Sequence, residues 1–170
     1  MAGGEVDLAS FLGENYGLLF YQVLPAARNR LLIDHSALAQ VEASVVYHMI
    51  IEGVLAETGY HGFYQALKDR NLLPGLVRGI ELVQRDEARH IAFGVYFLQR
   101  HVQANPDLWT QIEDRMAELL PAALAIVGDA FIPYGDDVPF QLDVAEMITY
   151  ASEQFNRRLS AVERAKAINN

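Results

Sequence analysis

Apolar residues recur at intervals of three and four along most of the chain, which is the period of an amphipathic α-helix. No stretch alternates cleanly between apolar and polar residues. No Asn-Gly or Asp-Gly pair lies between apolar runs, where it would indicate a β-hairpin. The pattern therefore predicts an all-α protein, and we expect a single domain over residues 1–170 without internal repeats.

Five helices are predicted from this period and from residues that begin and end helices. The first runs from Glu14 to about Leu32, with Pro25 kinking or dividing it because proline removes a backbone donor. Ser36 is a good N-cap for a second helix that continues to about Asp69. The other three cover about Pro74 to Gln103, Asp107 to Val127 and Leu142 to Arg164.

The second and third helices are expected to form an antiparallel pair, because the turn between them, Asn71 to Gly75, is only about five residues long. Gly53, Gly59 and Gly62 weaken the second helix, since each costs about 1 kcal/mol relative to alanine. Close packing or a local distortion of that helix should offset this cost.

One carboxylate, Glu52, lies within a nearly continuous apolar run of the second helix. A buried, unpaired carboxylate costs several kcal/mol, so it needs a cation, a hydrogen-bond network or a raised pKa. The third helix offers Glu87 and His90, which are three residues apart and therefore share a helix face. Glu-x-x-His is the spacing used by dimetal carboxylate bundles. We predict Glu52, Glu87 and His90 as metal ligands, with Asp86 or Arg89 orienting them by hydrogen bonds.

Two points weigh against this prediction. A Glu-x-x-His pair alone is weak evidence, because this spacing arises often and more commonly marks a solvated helix face. In a simple hairpin centred near Leu73, Glu52 and Glu87 would also be out of step by about seven residues, or ~10 Å of helical rise. They meet only if the turn is asymmetric or a helix is distorted.

The composition narrows the choice of partners. A formal net charge of -9 disfavours nucleic acid and anionic lipid surfaces. The absence of cysteine excludes disulfides and thiolate ligands, so a metal must use oxygen and nitrogen atoms. The first ten residues lack the features of a secretory signal, and no apolar run approaches the ~20 residues of a membrane span. We therefore expect a soluble, cytoplasmic protein.

Two motifs resemble a known family: YHMIIEGVLAETGYH, from Tyr47 to His61, and DEARHIAFG, from Asp86 to Gly94. They are similar to the second half of the ribonucleotide reductase small-subunit superfamily, and specifically to its ligand-binding oxidase branch. The resemblance covers about Glu14 to Arg164. It implies a ferritin-like helical bundle, of which this chain is the second half only: a long antiparallel helix pair with flanking helices.

The resemblance also implies chemistry. Glu52, Glu87 and His90 match the second-half metal ligands, and the cofactor of that branch is a manganese and iron pair, with two irons as the alternative. A long-chain fatty acid binds beside the metals, and activation of dioxygen (O2) makes a tyrosine-to-valine ether cross-link. Tyr47 matches the cross-linking tyrosine and Tyr60 a second tyrosine near the site. For both tyrosines, the alternative interpretation is aromatic packing in the core.

In that family the site has six ligands, and the first glutamate, the first Glu-x-x-His and the cross-linked valine lie on helices that would precede this chain. The resemblance therefore predicts an oxidase completed by a second polypeptide or a second copy. Two copies would supply four glutamates and two histidines, so a homodimer is expected. The alternatives are a non-catalytic, truncated helical module that binds a partner or lipid, and a ribonucleotide reductase radical subunit, against which Tyr47 argues.

Overall fold

The computed structural model describes residues 12–68 and 70–169, so the predicted signal-free N-terminus and Asp69 lie outside the described residues. The described residues contain helices and no strand, which confirms the all-α class. Where they can be compared, the predicted helix ends agree with the structure to within about two residues. The helices are α1 (Glu14–Leu18, Leu19–Val23 and Leu24–Arg30), α2 (Ala37–Lys68), α3 (Pro74–Ala104), α4 (Leu108–Asp129) and α5 (Val144–Glu163), with 3₁₀ turns at Ile132–Tyr134, Pro139–Gln141 and Arg164–Asn169.

Pro25 does not divide α1. The preceding segment, Leu19–Val23, is π-helical, and the backbone N–H of Leu24 donates to the carbonyl of Leu19 five residues earlier. Pro25 then occupies the first turn of the α-helical segment Leu24–Arg30, where the absence of its own N–H is tolerated best. The predicted disturbance is therefore a change of hydrogen-bond register within one continuous helix.

The second helix begins and is distorted as predicted. The Ser36 side chain accepts a hydrogen bond from the backbone N–H of Ala39 at 3.2 Å, which confirms the N-cap. Two π-helical segments, Val45–Ala56 and Tyr64–Lys68, interrupt the α-helical hydrogen bonding of α2. The first of them contains both Glu52 and Gly53.

The core forms where α2 packs against α3, α4 and α5. Several apolar side chains of α2 and α4 are completely inaccessible to solvent: Val45, Val46, Met49, Ile50, Ile112 and Met116. The helices Ala37–Lys68 and Leu108–Tyr134 are long and apolar enough to span a membrane by length and composition alone, a criterion that core helices of soluble proteins also meet. That no segment spans a membrane stays a prediction.

The helices α2 and α3 form the predicted antiparallel pair. Near the turn, the Lys68 ammonium lies 3.3 Å from the Glu81 carboxylate, and farther away the Glu52 carboxylate lies 3.3 Å from the imidazole of His90. Between these contacts α2 advances 16 residues while α3 advances nine. A π-helix holds more residues in each turn than an α-helix, so the π-helical segments of α2 provide part of the compensation that the predicted mismatch required.

Candidate metal centre

The structure brings the three predicted ligands together. One ligand atom from each of Glu52, Glu87 and His90 lies within 4.8 Å of the other two. The His90 Nδ1 atom is 3.3 Å from Glu52 Oε1 and 3.3 Å from Glu87 Oε2. We call these three residues the carboxylate cluster. That they bind metal stays a prediction, which this geometry permits.

The carboxylate cluster contains acceptor atoms without donors. The Glu52 side chain is only 5% exposed, and its Oε2 atom has no hydrogen-bond partner. The Oε2 atom of Glu87 is also buried and has none, because its contact with His90 lacks hydrogen-bond geometry. Buried polar atoms almost always have a partner, and carboxylate oxygens beside an imidazole suit iron or manganese. The donor set therefore fits a divalent cation.

The electrostatics of the carboxylate cluster also indicate that positive charge is missing there. Burial raises the pKa of Glu52, and the nearby negative charge of Glu87 raises it further. The Tyr47 hydroxyl and the imidazole of His90 act in the opposite direction but do not reverse the shift. The folded chain thus holds two carboxylates close together in an environment that disfavours both being charged. A bound cation would remove that conflict.

The geometry of the carboxylate cluster depends on the regular spacing of α3 and on its close contact with α2. On α3 the regular α-helical spacing of three places Glu87 and His90 on one face. One turn after His90, Gly94 lies against His48 of α2, and a Cβ atom at Gly94 would come within 2.6 Å of His48 Cγ. A glycine at this position lets the two helices approach closely beside the carboxylate cluster.

The two predicted tyrosines differ in exposure. Tyr47 is 42% exposed, so the alternative interpretation of core packing does not apply to it. Burial of part of the side chain and then the charge of Glu52 raise the pKa of Tyr47. Tyr60 is half-buried, and burial and then the charge of Glu87 raise its pKa. Both phenols therefore lie within the electrostatic field of the carboxylate cluster, while their catalytic role stays a prediction.

Other polar residues near the motifs have partners of their own. Asp86 and Arg89 pair with each other at 2.9 Å with side chains 59% and 72% exposed, so the structure gives no contact for their predicted role in orienting ligands. His48 Nδ1 lies 3.1 Å from the Ser44 hydroxyl, and burial lowers the pKa of His48.

Sequence analysis missed a polar group beyond the carboxylate cluster. The Gln84 side chain donates to Glu57 Oε2 at 3.3 Å and accepts from the Tyr64 hydroxyl at 2.8 Å. These residues line a pocket of about 510 Å³ together with Arg158, whose Nε–H donates to the carbonyl of Gly53 at 3.2 Å. No local pattern signals Arg158, because it contacts Gly53 across 105 positions of sequence.

An apolar pocket of about 440 Å³ lies between the second half of α2 and the residues that follow α4. Its lining includes Leu55 and Gly59 of α2 together with Phe131 and Phe140. Leu55 follows Glu52 by three residues on the same helix, although no member of the carboxylate cluster lines the pocket itself.

One side of the carboxylate cluster faces solvent. The His90 side chain is 58% exposed, whereas that of Glu52 is 5% exposed. Large exposed apolar side chains accompany His90 along α3 and lie on the adjacent part of α2: Tyr47, Leu76, Val83, Phe93 and Tyr96. We call this set the exposed apolar face.

A helical bundle in which one helix presents a glutamate to a Glu-x-x-His pair on its antiparallel neighbour has the architecture of the ferritin-like carboxylate proteins. The profile of the family described as "Ribonucleotide reductase, small chain" matches residues 25–170, so the chain belongs to that family.

Solved structures agree with the predicted branch. The fold is similar to that of an "R2-like ligand-binding oxidase without metal cofactor", with a TM-score of 0.86 and 35% sequence identity over 94% of this chain and 61% of that one. It is also similar to an "R2-like ligand-binding oxidase with aerobically reconstituted Mn/Fe cofactor (long soak)", with a TM-score of 0.87 and 36% identity over 94% of this chain and 57% of that one. The predicted superfamily, branch and ferritin-like fold are thus confirmed. The chain spans about three fifths of the length of these oxidases.

Proposed function

We propose that the carboxylate cluster is one half of a dimetal centre, holding manganese and iron or two irons, in an oxidase that activates dioxygen. The observation that supports this best is the pair of buried, donor-free oxygens, Glu52 Oε2 and Glu87 Oε2, beside the His90 imidazole. Structures similar to this chain are described with a Mn/Fe cofactor. A glutamate can bridge two ions while an imidazole binds one, and both ligand types suit these metals.

The chemistry supplied by such a centre is the reduction of dioxygen coupled to oxidation of a neighbouring C–H or O–H bond. The residues of this chain would hold the metals and supply the surroundings. Glu52 and Glu87 compensate the charge of the cations, and apolar neighbours such as Met49 and Ile50 exclude water from one side. Burial and the charge of Glu52 raise the pKa of the Tyr47 O–H group, and burial and the charge of Glu87 raise the pKa of the Tyr60 O–H group. We propose these two tyrosines as the catalytic residues of the chain.

The second half of the centre would come from another helix pair. Dimetal carboxylate bundles use four glutamates and two histidines, and the carboxylate cluster contributes half of that set. The exposed apolar face lies on the same two helices as the cluster, as expected of a surface that another helix pair covers. We propose that this pair belongs to a second polypeptide or, in a homodimer, to a second copy of this chain.

We also propose a long-chain fatty acid as the bound ligand. A carboxylate head group matches the ligand preference of the metals, and an alkyl chain needs an apolar cavity. The apolar pocket that begins at Leu55, three residues after Glu52, would provide such a cavity next to the centre.

The proposal is tested by loading the purified chain with Mn(II) and Fe(II) without oxygen, exposing it to air and removing free metal. Bound metal and molar mass are then measured on the same sample. A dimer with about one ion per chain is expected if two copies complete the site, because the full ligand set holds two ions. Glu87→Gln should reduce the metal content severalfold, while Glu113→Gln, which changes an exposed carboxylate on α4, should leave it unchanged.

A monomer that binds less than about a tenth of an ion per chain would exclude self-completion. The same measurement is then made after co-expression with a polypeptide that supplies a glutamate and a Glu-x-x-His pair on two helices. If the co-expressed complex is also metal-free, the oxidase assignment is wrong and the alternative of a non-catalytic helical module is favoured.

A further inference from the structure

A side chain from the far end of the sequence contacts the turn of α2 that presents Glu52. Arg158, on α5, donates its Nε–H to the carbonyl oxygen of Gly53 at 3.2 Å. Gly53 directly follows Glu52 and lies in the same π-helical segment, Val45–Ala56. The contact therefore acts on the backbone adjacent to a predicted metal ligand.

The Gly53 carbonyl lacks its usual α-helical partner. In an α-helix the N–H of Glu57 would donate to the carbonyl four residues earlier, which is that of Gly53. Here the N–H of Glu57 bonds to the carbonyls of Glu52 and Val54 instead. The change of register takes the Glu57 N–H away from the Gly53 carbonyl, and Arg158 supplies that carbonyl with a donor from another helix.

Residue 53 is a glycine, and the absence of a side chain there leaves room for Arg158. A Cβ atom at Gly53 would lie 3.1 Å from both Cγ and Nε of Arg158 and 2.8 Å from the carbonyl oxygen of His48. A Cβ atom would therefore clash with the His48 carbonyl, and the Arg158 side chain would have to shift by a few tenths of an ångström. The glycine that weakens the helix also admits the arginine.

Arg158 is placed for this role by its own surroundings. Its Nη2 atom donates to Oε1 of Gln154, a side chain only 1% exposed, one turn earlier on α5. Burial lowers the pKa of Arg158, so the site holds the charged guanidinium at some cost. A half-buried cation that donates to a backbone carbonyl beside a carboxylate ligand is placed to fix the local geometry of that ligand.

We propose that Arg158 is a positioning residue, which fixes the π-helical turn at Gly53 so that the Glu52 carboxylate is held against Glu87 and His90. The consequence for metal affinity rests on the proposed function. The consequence for the backbone does not, because it concerns the hydrogen bond to Gly53 alone.

The test compares Arg158→Met, which removes the donors, and Arg158→Lys, which keeps a charge and one donor group, with Arg157→Met as the control. Arg157 is the preceding residue on α5 and is exposed. In metal-free protein, amide hydrogen exchange of a peptide covering residues 45–58 should be about tenfold faster in Arg158→Met than in Arg157→Met, since hydrogen bonds to charged groups are among the stronger ones. Arg158→Lys should lie between them, and a peptide from α4 should be unaffected.

Mn(II) affinity, measured in the assembly that binds metal, should fall about 10- to 100-fold in Arg158→Met and stay unchanged in Arg157→Met. Equal exchange in residues 45–58 of the two methionine variants would overturn the proposal. Faster exchange throughout the chain would also overturn it, because Arg158 would then serve general stability. Absence of Mn(II) binding both in the unsubstituted chain alone and in its co-expressed complex would refute the proposed function, while the exchange result would still decide whether Arg158 positions this turn.

Discussion

The substitution Glu52→Gln should stabilise the metal-free chain while abolishing its metal binding. Glu52 is buried, its Oε2 atom has no donor, and the charge of Glu87 disfavours its ionised form. The amide introduced by the substitution has nearly the same shape. Its NH₂ group can donate to the Glu87 carboxylate, and its oxygen can still accept from His90. One buried charge and one unsatisfied acceptor disappear together.

The expected gain in the free energy of unfolding follows from the unsatisfied Oε2 atom of Glu52. A buried polar atom without a partner costs about 1–3 kcal/mol. A gain of about 2 kcal/mol in the free energy of unfolding raises the Tm of a chain of this length by roughly 4–8 °C. Restoring a charge-compensating cation would reverse the order of stability, because only the unsubstituted chain has the Glu52 carboxylate to bind it.

The assay is thermal unfolding in the presence of a chelator, followed by circular dichroism, with Glu113→Gln as the matched control. Glu113 is an exposed glutamate on α4, so its substitution should change Tm by no more than about 1–2 °C. A Tm for Glu52→Gln equal to or below that of the unsubstituted chain would show that the Glu52 carboxylate is already well satisfied. The argument for a cation at this position would then lose its basis.

The pH dependence supplies a second check. The pKa of Glu52 in the folded chain is raised above its ordinary value of 4.5, so the folded state binds this proton more tightly than the unfolded state does. The resulting stabilisation of the unsubstituted chain is complete below pH 4.5 and is lost as the pH rises through the raised pKa. The advantage of Glu52→Gln should therefore be small near pH 4.5 and larger at pH 8.

Two further predictions concern how α2 and α3 form and approach each other. Gly94→Ala would force a Cβ atom into the His48 side chain and should destabilise the chain by about 1–3 kcal/mol in denaturant titrations. Gly79→Ala, on an open part of the same helix, should instead stabilise it by up to about 1 kcal/mol, and equal effects would contradict the close approach at Gly94. Ser36→Ala removes the N-cap of α2 and should cost about 1 kcal/mol, whereas no loss would show that the hydrogen bond to Ala39 contributes nothing.

The helices were predictable because their signals are local. Ser36 as an N-cap, Pro74 at the start of α3 and the apolar period between them depend on neighbours a few residues away. For the π-helical segments, the sequence predicted a distortion of α2 but neither its type nor its position. Gly53 indicated that something unusual occurs in α2, but the side chain that packs against it, Arg158, comes from another helix.

The sequence was sufficient to identify the three residues of the carboxylate cluster, but it did not predict how closely Glu52 lies to Glu87 and His90. A burial argument identified Glu52, and helix periodicity paired Glu87 with His90. Counting residues from the turn placed Glu52 too far away, because that count assumes two regular helices. The contact between Gly94 and the His48 side chain limits how closely α2 and α3 pack, and it joins two residues 46 positions apart. Pairing of this kind has no local signature.

The residues of the carboxylate cluster differ in solvent exposure, and this difference affects how tightly the described helices would bind a metal ion. The Glu52 side chain is buried in the core, whereas that of His90 on the neighbouring helix is more than half exposed. Water can therefore reach the cluster from the side of the exposed apolar face. Water would therefore occupy the remaining coordination positions of an ion held there. Water would also screen the attraction between the ion and the carboxylates, which weakens metal binding. Covering the exposed apolar face would remove that water and bring further ligands at the same time. Metal affinity and association through this face should therefore be linked, each strengthening the other.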